Sequence, residues 1–306
     1  MMRLLKSYIL LLFGFAEKDF LNYNLEEKKI KDIIRDYIPY NRRVAIRGNE
    51  AAKSSKILQN KYETNKILKE NKLPTTDIRY IVKDHKLYNA YKSDGQEIIN
   101  EDQQMFGQKY VIKPLNLRWG KGIHFIHCTN SKDILNNSDI IKENTELGTL
   151  IVEVKLINHP QMMILSQQSL NTLRIVTVQK DNGIIDIIFA CVRFSSDNTE
   201  IDNWSSGGFA ANINLETGIA DIGYKKNYTG IECYSNLSKG LVIPYFEEAK
   251  DLSICAHRVF PDMKSIGWDI AITPSGPVII EGNDDWDVIL PQKLLRKGIK
   301  RYLCMK

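Results

Sequence analysis

The chain has no C-x-x-C pair, no H-x-x-x-H pair and no G-x-x-x-x-G-K-[ST] loop. Its five cysteines, Cys128, Cys191, Cys233, Cys255 and Cys304, are odd in number and widely scattered. That spacing excludes a disulfide framework and a structural zinc site, and it suits a reducing, cytoplasmic compartment with buried thiols. Five histidines without metal-type clustering make zinc hydrolysis a poor fit, and His124 and His127 read as packed or surface residues beside an apolar strand. The G-x-G at Gly120 and Gly122 is not a dinucleotide fingerprint, because no helix pattern follows it. There is no internal repeat, low-complexity tract or long linker, and no nucleic-acid motif.

Long hydrophobic runs are missing as well. The apolar stretch Ser7 to Ala16, after MMRLLK, resembles the charged and apolar regions of a signal peptide but is too short to cross a bilayer. The expectation is a packed or membrane-surface helix rather than a cleaved signal, which adds peripheral contact with the inner face of a membrane to a cytoplasmic location. Residues 1–121 carry 24 Lys and Arg against 15 Asp and Glu, and residues 122–306 carry 18 against 22. The lysines of the basic front are interleaved with acids, as on solvated helix faces.

With 306 residues, 43% of them hydrophobic, the chain can bury a large core or several smaller ones. Residues 17–70 have helical periodicity, with a second helix from Glu50 to Lys72 stopped by Pro74. Strand-like runs follow at 109–114, 124–127 and 150–156, with a helix over 131–146. Four more runs lie at 171–179, 184–195, 208–214 and 219–224, then a helix at about 246–263. Asp181-Asn182-Gly183 and Glu216-Thr217-Gly218 are hairpin turns, so the later strands are read as an antiparallel sheet. The last two strands enclose the Pro-Ser-Gly-Pro turn at 274–277 and carry Asp269, Glu281 and Asn283. Glu281 and Asn283, two apart, share a face of their strand. Hard oxygens suit Mg²⁺ held through nucleotide phosphates; the alternative is a hairpin with carboxylates at its rim.

Lys113 ends a strand ahead of a loop bearing Gly120 and Gly122. A lysine point charge beside exposed backbone N–H groups suits phosphate, although an ordinary glycine turn is the competing reading. Glu153, Val154 and Lys155 lie where a buried strand becomes a connector, able to offer backbone groups to an adenine edge. Arg174 and Arg193 stand among apolar strand residues, so each is either paired with a carboxylate or serves an anion. Trp204 to Gly208 is either an anion-cradling loop or an ordinary one.

Taken in order, Lys113-Pro with the Gly120/Gly122 flap, Glu153, Asn171-Thr-Leu-Arg174 and Asp269…Glu281-Gly-Asn283 resemble the ATP-grasp superfamily over roughly residues 60–290. The nearest likeness is to its sugar-transfer-associated branch, found with polysaccharide biosynthesis. The resemblance implies an α+β fold, with two α+β subdomains sandwiching ATP after a helical N-terminal region. The corresponding division is 1–105 for that region, 106–165 for a lid subdomain and 166–306 for a catalytic subdomain. It also implies roles: Lys113 on the α and β phosphates, Gly120 and Gly122 in the flap, and Glu153, Val154 and Lys155 at the adenine. Asp269, Glu281 and Asn283 would bind Mg²⁺, Arg174 and Arg193 would stabilise the transferring group, and His159 or Gln161 falls in the stretch that meets ribose. The implied reaction is ATP-dependent ligation of a small-molecule or sugar-linked carboxylate to an amine. A kinase acting on a hydroxyl and an inactive nucleotide-binding module are the rivals. Two departures stand out: no Rossmann-like first domain is legible, and Gly267 replaces the arginine usual two residues before the first metal-ligand aspartate. On this reading, substituting Asp269 by Asn or Glu281 by Gln removes turnover and leaves the fold intact.

Overall fold

The computed structural model describes residues 2–49, 52–91, 107, 109–116, 122–128, 130–145, 148–195, 204–227, 229 and 231–303. Within it the chain forms two compact units, residues 59–157 and residues 1–58 with 158–306.

The larger unit begins with five short helices, α1 Met2–Leu12, α2 Glu17–Tyr23, α3 Ile30–Asp36, α4 Arg43–Arg47 and α5 Ser54–Leu58. The expected continuous helical stretch is therefore broken. Asn24 and Gly48 adopt left-handed backbone at the ends of α2 and α4, at φ 50° and 69°. Asn49 fixes this segment to the rest of its unit: its amide donates to the carbonyls of Ser265 and Asp284 at 2.7 and 2.9 Å, and its Oδ1 accepts from the Lys264 and Ser265 amides.

The smaller unit starts with α6 Lys61–Glu70, capped by Asn60 Oδ1, which accepts from the Tyr62 and Glu63 amides at 3.1 Å. The helix stops before the left-handed Lys72 and Pro74. Next come β1 Ile78–Lys83, β2 Lys86–Asn89, β3 Lys109–Pro114, β4 His124–His127, α7 Ser131–Thr145 and β5 Leu150–Val154. They make an antiparallel sheet in the order β2-β1-β5-β3-β4. One face packs Tyr80, Tyr110, Ile112, Leu150 and Val152 with Ile134 of α7. The β1–β2 hairpin, assigned from sequence to the region before residue 105, thus belongs to the sheet of β3 and β5. Its place is set by pairing between residues about 70 apart, such as Tyr80 with Val152, which local periodicity does not register.

The chain then returns to the larger unit through β6 Thr172–Gln179, β7 Ile185–Phe194, β8 Phe209–Ile213, β9 Ala220–Tyr224, β10 Tyr234–Ser235, α8 Phe246–Arg258, β11 Ser265–Thr273, β12 Gly276–Asn283, α9 Ile289–Leu294 and α10 Lys300–Leu303. The seven strands lie antiparallel in the order β10-β9-β8-β7-β6-β11-β12. The connection through α8 inserts β11 beside β6, so a meander and the last hairpin become one sheet. All nine residues of β11 are buried. One sheet face packs on α8. The other carries Val176, Val178, Phe189, Cys191 and Ala210, which share a core with Leu10, Phe15, Tyr23, Leu25, Ile33 and Ile38 of the leading segment and Leu290 of α9.

Polar groups under α8 are paired. His257 is fully buried; its Nε2 donates to the Met263 carbonyl at 2.9 Å and its Nδ1 lies 2.7 Å from Thr177 Oγ1, which also accepts from Trp268 Nε1 at 3.1 Å. Burial lowers the His257 pKa from 6.5 despite the Met263 carbonyl. The unfolded chain therefore takes up a proton that the folded chain refuses, and stability falls as pH drops through about 6.5, by up to about 1.4 kcal/mol per pH unit. Asp19 works in the opposite sense: burial pushes its pKa up to about 6 in spite of hydrogen bonds from the Ala16 and Tyr40 amides. The His257 contribution is thus read from the difference between wild type and His257→Gln in thermal midpoints measured from pH 5.5 to 7.5. A wild-type profile parallel to the variant's would remove the assignment.

Candidate active site

Strand pairing lines up one row of side chains across the larger sheet. Asp269 on β11 faces Glu281 on β12 and Arg174 on β6, and Arg174 faces Cys191 on β7. A bulge in the β11–β12 pairing after Asp269 keeps Glu281 opposite it while shifting the rest of the hairpin. Asp269 is not a carboxylate at the hairpin rim: it lies mid-strand and is only 4% exposed.

A buried carboxylate needs partners, and here they are arginines. Arg174 binds it in a bidentate fork, Nε to Oδ1 at 2.5 Å and Nη2 to Oδ2 at 3.0 Å. Arg193, two residues along β7 from Cys191, reaches Oδ2 at 3.1 Å and also donates to Thr172 Oγ1 at 2.7 Å. Of the two readings left open for these arginines, the carboxylate-paired one holds. Burial alone would raise the Asp269 pKa; the two guanidiniums outweigh it and hold the group below the usual carboxylate range. The same electrostatics reach Cys191, whose thiol burial pushes up to about 12.

Gly267 explains the missing arginine. A Cβ there would lie 2.6 Å from Cβ of Trp286, whose side chain fills the space above the strand. Position 267 cannot carry a long cation, and β6 and β7 deliver theirs from the side instead.

The oxygen donors meet a simple test for a hard cation. Asp269 and Glu281 are direct cross-strand partners on β11 and β12, which sets two carboxyls side by side, an arrangement that favours a shared proton or cation. Asn283 lies two residues along from Glu281, its Nδ2 donating to the Gly267 carbonyl at 3.2 Å and to Glu281 Oε1 at 3.4 Å. Three donors already occupy Asp269, so about one of its four lone-pair directions is left. The set fits Mg²⁺ with Glu281 as the principal carboxylate, since this ion takes one or two carboxylates and keeps several waters.

The smaller unit holds a second buried charge pair. Lys113 on β3 and Glu153 on β5 are diagonal neighbours on one sheet face, with Nζ 2.6 Å from Oε1 and exposures of 5% and 6%. Glu153 Oε2 is buried with no hydrogen-bond partner. An orphaned acceptor of this kind is costly, and an N–H donor from a ligand would satisfy it. Val154 and Lys155 differ from expectation. Their amides are spent on the carbonyls of Asp77 and Lys109, at 3.0 and 2.8 Å, so neither amide is available to an adenine edge. The Lys155 ammonium sits over the Phe125 ring.

A family model for sugar-transfer associated ATP-grasp proteins matches residues 41–303. The chain belongs to that family. Solved structures similar to this ATP-grasp chain include D-alanine–D-alanine ligase from Bacillus anthracis, at 13% identity over 76% of this chain and 58% of that one, TM-score 0.44. The biotin carboxylase domain of Hydrogenobacter thermophilus 2-oxoglutarate carboxylase matches at 13% identity over 82% and 46%, TM-score 0.47. N5-carboxyaminoimidazole ribonucleotide synthetase from Thermotoga maritima matches at 14% over 75% and 42%, TM-score 0.40. The chain spans about half the length of these structures. No curated protein matches it.

Of the remaining candidates in this ATP-grasp chain, Gly122 has left-handed backbone at φ 70°, while Gly120 lies outside the described residues. His159 is occupied as a cap, its Nδ1 accepting from the Gln161 amide at 3.2 Å. Trp204 is a core residue whose Nε1 donates to the Tyr224 carbonyl at 2.8 Å. Sequence reasoning passed over Thr172 and Trp286. Thr172 is inside the Asn-Thr-Leu-Arg block and could have been flagged by its two-residue offset from Arg174; Trp286 had no local signal.

The geometry revises what the two metal-site substitutions do. Asp269→Asn strips the counter-charge from two buried guanidiniums and is expected to cost about 3–5 kcal/mol of stability. Glu281→Gln, at a half-buried site, should change stability by about 1 kcal/mol or less. Chemical denaturation of both variants tests this, and equal midpoints would show that Asp269 is not the structural anion.

Proposed function

We propose that this protein is an ATP- and magnesium-dependent ligase that joins a carboxylate to an amine through an acyl phosphate. The supporting observation is the row Glu281–Asp269–Arg174 with Arg193, which sets hard oxygen ligands beside two guanidiniums on one sheet face. Membership of the sugar-transfer associated family favours a sugar acid of a polysaccharide precursor as the carboxylate, with an amino acid or amino sugar as the amine.

Bound Mg²⁺-ATP supplies the phosphoryl group and neutralises the anionic phosphates. The protein's part is positioning and charge. Glu281 and Asn283, with the remaining lone pair of Asp269, hold the cation. Arg174 and Arg193 are oriented by Asp269 and Thr172, so they are preorganised for charge on a tetrahedral centre without reorganising when it develops. Lys113, oriented by Glu153, presents an ammonium to phosphate, and Glu153 Oε2 offers its unmet acceptor to an amino group such as that of adenine.

The test is ADP and phosphate release with purified protein across pools of uronic acids and amino acids, with products read by mass. Phosphate release that needs both a carboxylate and an amine, with an amide product, is the expected outcome. ADP formed with a phosphorylated acceptor and no amide would replace ligation by kinase chemistry, and no ADP in any pool would overturn the proposal. Lys113→Met keeps side-chain bulk and should weaken ATP binding by about 1–3 kcal/mol in calorimetry. Unchanged affinity would take Lys113 out of the nucleotide site.

A further inference from the structure

The helix α1 is apolar on two sides. Its inner side is fastened to the larger unit: Leu10 is fully buried, Phe15 just beyond the helix is 2% exposed, and Lys6 Nζ donates to the carbonyls of Glu26 and Lys28 at 2.7 and 2.5 Å. Its outer side presents Tyr8, Leu11 and Leu12 at 73%, 56% and 73% exposure. These positions are spaced i, i+3 and i+4, so they form one stripe, and Phe13, 40% exposed, extends it into the turn. A surface helix of a water-facing protein normally turns a polar side outward. Here four adjacent large hydrophobic side chains do so instead, too many to treat as scattered surface residues.

The charges around the stripe indicate what covers it. Residues 1–16 contain no acid, and Lys6 is turned inward with its ammonium on the Glu26 and Lys28 carbonyls. Exposed Arg42 lies against the same turn, its side chain closest to Gly14 and its Nη2 3.5 Å from the Leu12 carbonyl. A guanidinium beside exposed Leu12 and Phe13 is the pairing that an anionic lipid surface satisfies, phosphates on the cation and acyl chains on the leucines. With 11 residues the helix lies on such a surface; among the described residues no helix is long and apolar enough to cross one.

We infer that the outer face of α1, with Arg42, docks this protein on an anionic membrane surface. The inference is independent of the ligase reading, since none of these residues belongs to the proposed site. The experiment is flotation of the full chain with vesicles of phosphatidylcholine alone and of equal parts phosphatidylcholine and phosphatidylglycerol. The protein should float with the anionic vesicles and stay largely behind with the neutral ones. Leu11→Glu with Leu12→Glu should lower binding by about tenfold or more. Arg42→Gln should lower it by about fivefold, in the anionic vesicles only. Helix content and thermal midpoint accompany each variant, and if the glutamates disturb folding, Tyr8→Ser with Leu12→Ser removes the same stripe. Absence of flotation, equal flotation with both vesicles, or full binding by the stripe variants would overturn the inference. Self-association that the stripe variants abolish, without vesicle binding, would assign the face to a second copy of the chain and overturn it as well.

Discussion

The larger unit is organised around one buried anion. Asp269 lies in the middle of the most buried strand, and its ionised state persists only because Arg174 and Arg193 surround it. Arg174 commits its fork to that contact, and Arg193 divides its guanidinium between Asp269 and Thr172. Three neighbouring strands must therefore hold their registers for the charges to meet. The bulge opposite Asp269 and the Trp286 ring over Gly267 are parts of the same fit, one keeping Glu281 alongside and the other closing the position where a cation on the aspartate's own strand would stand.

On the proposed function, this arrangement gives Asp269 two duties that pull in different directions. As the counter-ion of two arginines it is structural; as a cation ligand it has little capacity left. Glu281 and Asn283 are half-buried on the neighbouring strand and joined to each other through Asn283 Nδ2. In the smaller unit the division is similar: Lys113 satisfies one oxygen of Glu153, and the other stays without a partner. Both units thus spend one contact on holding a polar group still and keep another in reserve.

The short helices ahead of residue 59 cover the end of the charged sheet face with Leu25, Ile33 and Ile38. Asn49 and Gln292 tie them down through the backbone: Gln292 accepts from the Ile38 amide at 2.8 Å and donates to the Ile38 carbonyl at 3.0 Å. They form part of the larger unit's core, which is why no separate first domain was legible in their sequence. The outer stripe of α1 departs from that packing role.

Much of the fold could be read from the sequence because its signals are local. Hairpin turns at Asn182-Gly183 and Thr217-Gly218, alternation in β6 to β9, and the block order from Lys113 to Asn283 all survive as short-range patterns, and they suffice for an α+β chain of the ATP-grasp family. The candidate site was legible as a set of residue types and an order along the chain. Who pairs with whom was not. That Asp269 meets arginines from β6 and β7, that the amides of Val154 and Lys155 are already used, and that the β1–β2 hairpin joins β5 all depend on strand register between distant segments. A shift of one residue would turn every one of those side chains to the opposite face. The sequence by itself determined that Arg174 and Arg193, set among apolar strand residues, needed an anion or a carboxylate; only tertiary packing buried Asp269 beside them and made it the partner of both.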